Sequence, residues 1–183
     1  MARAILFILL ALLIACDQHS ERPTPGPKVH ELAQQGKTEH LMRALESGKV
    51  DQRDVCYRTP LMLAAQFGRG DTVDRLLAAG ARVDLHEKGY YTALMLAAGN
   101  GHSDVVRRLA DADAGAGIDE VELSRGWTAL IWAAKRGHVE TVQGLLDLGA
   151  DISHRDHQGR SALEWAQARG HTRVVSLLLG KAG

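Results

Sequence analysis

The chain has few of the residues that define specialised classes of protein. Its 183 residues include only 2 Cys, 4 Pro and 4% aromatic residues. So few cysteines exclude a disulfide-rich scaffold, and so little proline excludes a collagen-like fibre. An excess of charge is also missing, because 22 Lys and Arg balance 22 Asp and Glu. A neutral chain has no overall field for nucleic acid or an anionic membrane surface, so any role of charge depends on its distribution.

A long hydrophobic run is missing as well. The unbroken apolar stretch from Ala4 to Ala15 has 12 residues and follows Arg3. Twelve helical residues rise about 18 Å, less than the roughly 30 Å hydrocarbon core, which favours a signal peptide over a transmembrane helix. The run ends in Leu13-Ile14-Ala15-Cys16, which resembles the lipobox of bacterial lipoproteins. The resemblance implies a cleaved signal peptide over residues 1–15 and acyl chains such as palmitate on Cys16. The alternative is an ordinary signal peptide with a cysteine beside the cleavage site.

The segment after Cys16 predicts a spacer. Residues 16–27 are polar and hold three of the four prolines, which disfavours helix and favours an extended tether. We therefore expect an exported, periplasm-facing lipoprotein in the inner or the outer membrane, attached through its lipid anchor. Lipidation of Cys16 would leave Cys56 as the remaining thiol, which we interpret as a small packing residue.

Beyond residue 27 the sequence repeats itself. Segments that start at Thr59, Thr92, Thr128 and Ser161 are 33, 36 and 33 residues apart, and a degenerate copy starts at His30. Each full copy has a Thr or Ser suited to N-capping, apolar residues at three- and four-residue spacing, a glycine, and a second apolar stripe. This pattern predicts two short helices per copy. Neither helix can bury its stripe alone, so the copies must stack.

The recurring T-[PA]-L-x-x-A-A, G-[HR] and L-L-x-x-G-A motifs resemble ankyrin repeats. The resemblance implies an all-α ankyrin-repeat solenoid of about five helix-turn-helix units with finger-like turns, over residues 28–183. The units are about 28–54, 55–87, 88–123, 124–156 and 157–183. Two extra residues between Gly101 and Gly115 predict a bulged, mobile loop around Ala112 to Ala114.

The sequence offers little for catalysis or metal binding. It contains no P-loop and no G-x-S-x-G motif, and Cys56 has no indicated base. His154, Asp156 and His157 crowd one finger, but without a second ligand cluster we interpret them as a solvated finger. We predict no catalytic residue, no metal site and no cofactor.

Other conspicuous side chains receive structural interpretations. The ankyrin resemblance implies that the histidines after the repeat glycines stabilise the turn between helices; they are His102, His138 and His171. Trp132 and Trp165 share the register of Leu63 and Leu96, which predicts core positions.

The partner-binding prediction comes from the ankyrin resemblance. In that family the finger positions and the ends of the first helices line the concave face, here called the finger face, and contact the partner. The matching residues are Arg58, Phe67, Tyr90, Tyr91, Arg125, Trp127, Lys135, Arg136, Arg160 and Arg169. They comprise six cations, four aromatics and no acid. Arg and aromatic residues are enriched at interface hot spots. The acids are expected on outer positions such as Asp71, Asp74, Asp104, Glu140 and Asp147.

These observations favour a non-enzymatic protein–protein interaction module anchored in the bacterial cell envelope. It would be monomeric alone and would bind a protein with an acidic, partly apolar surface through the finger face. One alternative is an immunity or accessory protein that inhibits or supports one envelope enzyme. Another is a hydrolase that uses His157 or Cys56. Export to the envelope argues against a nucleic-acid partner.

Overall fold

The computed structural model describes residues 29–45, 49–112 and 117–181. Within these ranges the chain forms ten α-helices and no strand, apart from one isolated bridge between His86 and Thr92. The helices are α1 Val29–Gln35, α2 Thr38–Leu45, α3 Pro60–Gln66, α4 Gly70–Ala78, α5 Ala93–Gly99, α6 Ser103–Ala112, α7 Ala129–Arg136, α8 Val139–Asp147, α9 Ala162–Ala168 and α10 Thr172–Lys181.

The first helix of each full repeat begins at the predicted capping residue. Thr59, Thr92, Thr128 and Ser161 each accept a hydrogen bond from a backbone N–H in the first turn of the following helix. A side-chain oxygen in this position satisfies a donor that the helix itself leaves unpaired. The predicted caps are therefore confirmed.

The helices stack in two layers. The first helices α1, α3, α5, α7 and α9 pack in series, and so do the second helices α2, α4, α6, α8 and α10. Alanines of the first helices, such as Ala64, Ala97 and Ala133, are completely buried, which lets the backbones approach closely. The all-α repeat solenoid predicted from the sequence is confirmed.

The repeat histidines connect neighbouring repeats. The Nε2 atom of His102 donates to the carbonyl of Gln66 at 3.1 Å, and His138 donates to Gly99 at 3.1 Å. His171 makes the equivalent bond to Lys135 at 3.0 Å. Each ring thus satisfies a carbonyl near the end of the preceding first helix, so the predicted structural role is confirmed.

Several sequence predictions lie outside the described residues. They are the signal peptide, Cys16, the tether of residues 16–27, and residues 113–116 of the expected bulged loop. None of the helices in the described part of the chain is both long enough and apolar enough to cross a membrane.

Candidate functional site

A carboxylate shapes each finger turn. Asp54, Glu87, Glu122 and Asp156 accept backbone N–H bonds from residues two to four positions further along the chain. An acid that accepts such bonds stabilises a turn in the way an Asx turn does. Sequence reasoning missed this feature, although the spacing is visible in the sequence. The acid lies five residues before the capping Thr or Ser in three fingers and six residues before it in the third finger.

One residue in each finger has a positive φ. It is a glycine in the last two fingers, Gly126 and Gly159, but a tyrosine in the first two, Tyr57 at φ 66° and Tyr90 at φ 62°. The left-handed region is unfavourable for a bulky side chain. Both rings are nevertheless exposed, at 52% for Tyr57 and 43% for Tyr90. Tyr57 was absent from the predicted site.

Neighbouring groups flank these tyrosine rings without burying them. Arg53 and Lys88 lie 5.6 and 5.5 Å from the centre of the Tyr57 ring, and His86 stacks on Tyr90 with ring centres 4.4 Å apart. Further large apolar side chains are exposed on the first and third fingers and after α3. They are Val55, Val121, Leu123 and Phe67. The fingers therefore present apolar and aromatic surface to solvent.

The structure corrects the prediction for Trp127. Its side chain is only 5% exposed, so the indole does not present a surface to a partner. It packs edge-on against Trp132 at 4.7 Å and Trp165 at 5.3 Å between ring centres. Trp165 is buried as predicted, and Trp132 is half-buried against the core.

The buried carboxylate of Asp156 explains the position of Trp127. One oxygen of Asp156 accepts the indole N–H of Trp127 and that of Trp165, both at 2.8 Å. The other oxygen accepts the backbone N–H groups of Gln158 and Arg160. Burial opposes the charged form of Asp156, but these backbone and indole donors outweigh it, and the pKa of the carboxyl is lowered.

Four cations lie over the three indoles and form with them the cation–indole cluster. Arg125 lies 4.8 Å from the centre of Trp127, Arg136 lies 5.2 Å from Trp132, and Arg160 lies 4.8 Å from Trp165. Lys135 contacts all three rings, at 4.3 Å for Trp127, 5.1 Å for Trp165 and 5.9 Å for Trp132. These distances are within the range of cation–π attraction.

Lys135 occupies an electropositive position. Burial is the largest cause that lowers the pKa of its ammonium group, and Arg169, Arg125 and Arg136 lower that pKa further by repulsion. Arg169 is exposed just after α9. The structure therefore brings together Arg125, Lys135, Arg136, Arg160 and Arg169 from the predicted set.

The remaining predicted residues have other contacts. Arg58 pairs with Asp54 at 2.8 Å within its own finger. The hydroxyl of Tyr91 accepts a hydrogen bond from Arg125 at 3.2 Å, and its ring lies 5.7 Å from Trp132, which joins Tyr91 to the edge of the cation–indole cluster. Phe67 and Tyr90 lie away from that cluster, at the exposed end of α3 and on the second finger.

The cations on the second helices are arranged differently. Arg75, Arg108, Arg173 and Lys181 form ion pairs with Glu39, Asp74, Glu140 and Asp147, each from a neighbouring second helix. In the described part of the chain, no carboxylate lies within 4.0 Å of a charged nitrogen of any of the five clustered cations, Arg169 included. Four cations of the second helices are therefore paired with acids, whereas, within the residues described, the five clustered cations are not.

The residues considered for chemistry have structural contacts. His154 donates to the carbonyl of Gly126 at 2.9 Å, and Asp156 accepts the indole N–H groups of Trp127 and Trp165. Asp156 is only 5% exposed, so the interpretation of these three residues as a solvated finger is wrong for Asp156. His157 is exposed on the last finger. Cys56 is buried, as expected of a packing residue, but its sulfur is not a free thiol, so the expectation that it remains a thiol is wrong.

Comparison with known families identifies the fold. The sequence profile described as Ankyrin repeats (3 copies) matches residues 29–121 and 112–183. No curated protein matches the chain. Ankyrin repeats indicate a protein–protein interaction module, and proteins of this kind are generally non-enzymatic. The repeats, the stacked helix pairs and the profile match agree that the chain belongs to the ankyrin-repeat family.

Proposed function

We propose that the chain binds a protein through the finger face and that the partner surface is both apolar and acidic. The observation that carries the proposal is the left-handed conformation of Tyr57 and Tyr90, whose rings are exposed. A non-glycine residue in this conformation costs on the order of 1 kcal/mol. The equivalent positions in the last two fingers show that glycine suits the same turn.

The rings of Tyr57 and Tyr90 contribute little to the core. Neither belongs to the buried apolar cluster, and their rings contact Arg53, Lys88 and His86, which are finger residues themselves. Retaining bulky side chains at a conformational cost is typical of functional positions, and tyrosine is enriched at interface hot spots. Exposed Val55 and Leu123 extend the apolar surface on both sides. A protein partner that lies across the fingers would cover all of these groups.

Site-specific photo-cross-linking tests the proposal. A photoreactive residue replaces Tyr57 or Tyr90 in cells that normally make the protein, and adducts are identified by mass spectrometry. The matched control is Leu179, which is 54% exposed on α10 in the outer layer. We expect one discrete protein adduct from both finger positions and none from Leu179. Finger positions that form no adduct, or the same adducts as Leu179, would contradict the proposal.

The location of the protein is a separate proposal that rests on the Leu-Ile-Ala-Cys motif at residues 13–16. Cleavage before Cys16 and attachment of lipid chains to this new N-terminal residue would anchor the ankyrin domain in the cell envelope, and residues 17–27 would separate the domain from the bilayer. Acyl chains contribute about 0.8 kcal/mol per buried CH₂, so more than one chain gives stable attachment. The finger face would then meet a partner in the periplasm.

Mass spectrometry of the mature N-terminal peptide tests the anchor. The chain has 2 cysteines and Cys56 is not a free thiol, so the peptide is analysed with and without reductant. An acylated Cys16 that reductant does not release, together with loss of membrane sedimentation in Cys16→Ala, supports the anchor. A Cys16 that reductant frees from Cys56, or a Cys16→Ala variant that still sediments with membranes, refutes it.

A further inference from the structure

We propose that the cation–indole cluster is a subsite for carboxylate side chains of the partner, an inference that rests on the protein-binding role proposed above. The subsite comprises Arg125, Lys135, Arg136 and Arg160 over their indoles, together with Arg169 at the edge. It receives Asp or Glu side chains that have apolar neighbours.

Uncompensated charge is the first argument. Arg125, Lys135, Arg136 and Arg160 lie over the same group of three indoles. Burial, and then repulsion by Arg169, Arg125 and Arg136, lowers the pKa of the Lys135 ammonium. The described residues place no carboxylate at ion-pair distance from the cluster, whereas four cations of the second helices are paired. An anion that enters the cluster relieves this repulsion. Charge complementarity therefore selects an acidic occupant.

The one acid inside the cluster cannot fill this role. Asp156 lies beneath the rings, where one oxygen accepts two indole N–H groups and the other accepts the N–H groups of Gln158 and Arg160. Its charge is therefore used to hold Trp127 and Trp165 in place. The side chains above the rings retain unused N–H donors for an external anion.

The geometry of the cluster favours a carboxylate on an amphipathic peptide. Arg125 and Lys135 lie over the same indole, Trp127, at 4.8 and 4.3 Å from its centre. A carboxylate that reaches both cations can accept a forked pair of bonds from the guanidinium and one bond from the ammonium. The partly exposed ring of Trp132 offers an apolar surface beside these donors. The apolar neighbours of the acid would lie against it.

Tryptophan fluorescence provides a direct assay. All 3 Trp residues of the chain belong to this cluster, so tryptophan emission excited at a wavelength that tyrosine does not absorb reports on the site. The wild-type protein is titrated with poly-L-glutamate and, in parallel, with inorganic polyphosphate of equal charge. We expect a saturable change in emission with poly-L-glutamate that weakens as salt is added, and weaker binding of polyphosphate.

Two charge-removing variants and one matched control complete the experiment. Lys135→Gln and Arg169→Gln should each weaken poly-L-glutamate binding by about tenfold, since hot-spot cations contribute this much. Arg173→Gln removes the same charge from the outer layer and should change the affinity by less than about twofold. Circular dichroism checks that each variant remains folded. Because Arg169 is exposed, its replacement should not disturb packing, so this variant tests the subsite even if Lys135→Gln unfolds.

Specific outcomes overturn the subsite. Equal losses in Lys135→Gln, Arg169→Gln and Arg173→Gln would show general electrostatic attraction. Polyphosphate that binds as tightly as poly-L-glutamate would show a site for anions of any kind, including nucleic acid. If these results occur while the Tyr57 and Tyr90 cross-links persist, the subsite is wrong and the protein-binding role stands. If the cross-links fail and Lys135→Gln still loses affinity, the protein-binding role is wrong.

Discussion

At the residue scale, Asp156 determines the interior of the last two repeats. Its carboxylate joins Trp127, which precedes α7, to Trp165 in α9. A buried carboxylate is unfavourable unless it is hydrogen-bonded, and here four N–H groups satisfy it. The same bonds orient both indoles and hence the cations above them. Asp156 is thus a positioning residue for the cation–indole cluster.

Replacing Asp156 by Asn should destabilise the fold by about 1–3 kcal/mol near neutral pH, because the amide NH₂ cannot accept and leaves either the two indole or the two backbone donors without an acceptor. The pKa of Asp156 is lower in the folded chain than its usual value of 3.8. Its stabilising effect is therefore complete above that value and disappears as the pH falls through the lowered one. Urea unfolding of both proteins at neutral and at strongly acid pH should show the difference narrowing in acid. Asp111→Asn, an exposed acid of α6, is the control. A difference that stays constant with pH would refute the role of the charge.

Truncation of Trp127 should damage stability more than surface residues do. Because its indole is 5% exposed among two other tryptophans, Trp127→Ala should cost about 3–5 kcal/mol in urea unfolding. Phe67→Ala, at an exposed position after α3, should cost much less. Similar costs for the two variants would show that Trp127 is not a core residue.

Trp127 also shows where sequence reasoning fails. It aligns with Arg58, Tyr91 and Arg160, none of them buried, and this register predicted a surface residue. Its hydrogen-bond acceptor lies 29 residues away, in the next finger. Periodicity identifies which positions correspond, but it does not reveal a contact that one repeat makes and the others lack. Tyr57 was missed for a similar reason, because a positive φ at tyrosine has no sequence signature.

At the element scale, the turn between the two helices of a repeat depends on the next repeat. Gly101 has φ +79°, and a Cβ at this position would lie 2.8 Å from Nδ1 of His138. Gly170 in the last repeat has φ +73° with nothing within 4 Å of a Cβ. The same turn is therefore enclosed by the following repeat in one case and open in the other.

Substituting these two glycines separates the cost of the left-handed conformation from the cost of the steric clash with the histidine ring. Gly170→Ala should destabilise by about 1 kcal/mol through the left-handed conformation alone. Gly101→Ala should cost on the order of 1 kcal/mol more, since the His138 ring must move and its bond to Gly99 weakens. Thermal unfolding of both variants measures the difference. Equal costs would show that the histidine ring adapts freely.

The elements were the most predictable part of the fold. Capping residues such as Thr92 and the small residues of the first helices recur at the same position in each repeat. Because their roles depend on residues nearby in the sequence, the sequence pattern predicts them. The fingers were predicted only as turns. Their acids, such as Glu122, and the extra residue of the third finger act through bonds specific to each turn.

At the scale of the whole molecule, the total charge is balanced, but paired and unpaired cations lie on different surfaces. Outer acids such as Asp74 and Glu140 pair with cations of the neighbouring second helix. Exposed pairs of this kind contribute little stability each, but within each pair the two charges neutralise one another. The five clustered cations of the finger face have no such partner among the described residues. Neutral composition is therefore compatible with a localised site for acidic groups.

Lys135 should make this site sensitive to pH. The groups that face its ammonium are Arg169 after α9, Arg125 on the third finger and Arg136 on α7, and burial together with their repulsion lowers its pKa. As the pH rises, Lys135 loses its proton and its positive charge, so the affinity for poly-L-glutamate should fall. This loss should occur at a pH below 10.5, the ordinary pKa of lysine. Lys135→Gln should lack this step. A wild-type affinity that stays constant over this pH range would contradict the expectation.

The most direct measurement uses the double variant Tyr57→Gly, Tyr90→Gly with the partner identified by cross-linking. Affinity by isothermal titration calorimetry and Tm are measured for the variant and the wild type. The account predicts an affinity at least about tenfold lower and a Tm that is unchanged or higher, because glycine relieves the left-handed strain while the partner loses two aromatic contacts. Unchanged affinity, or a Tm that falls with the affinity, would show that the rings serve the fold and not a partner.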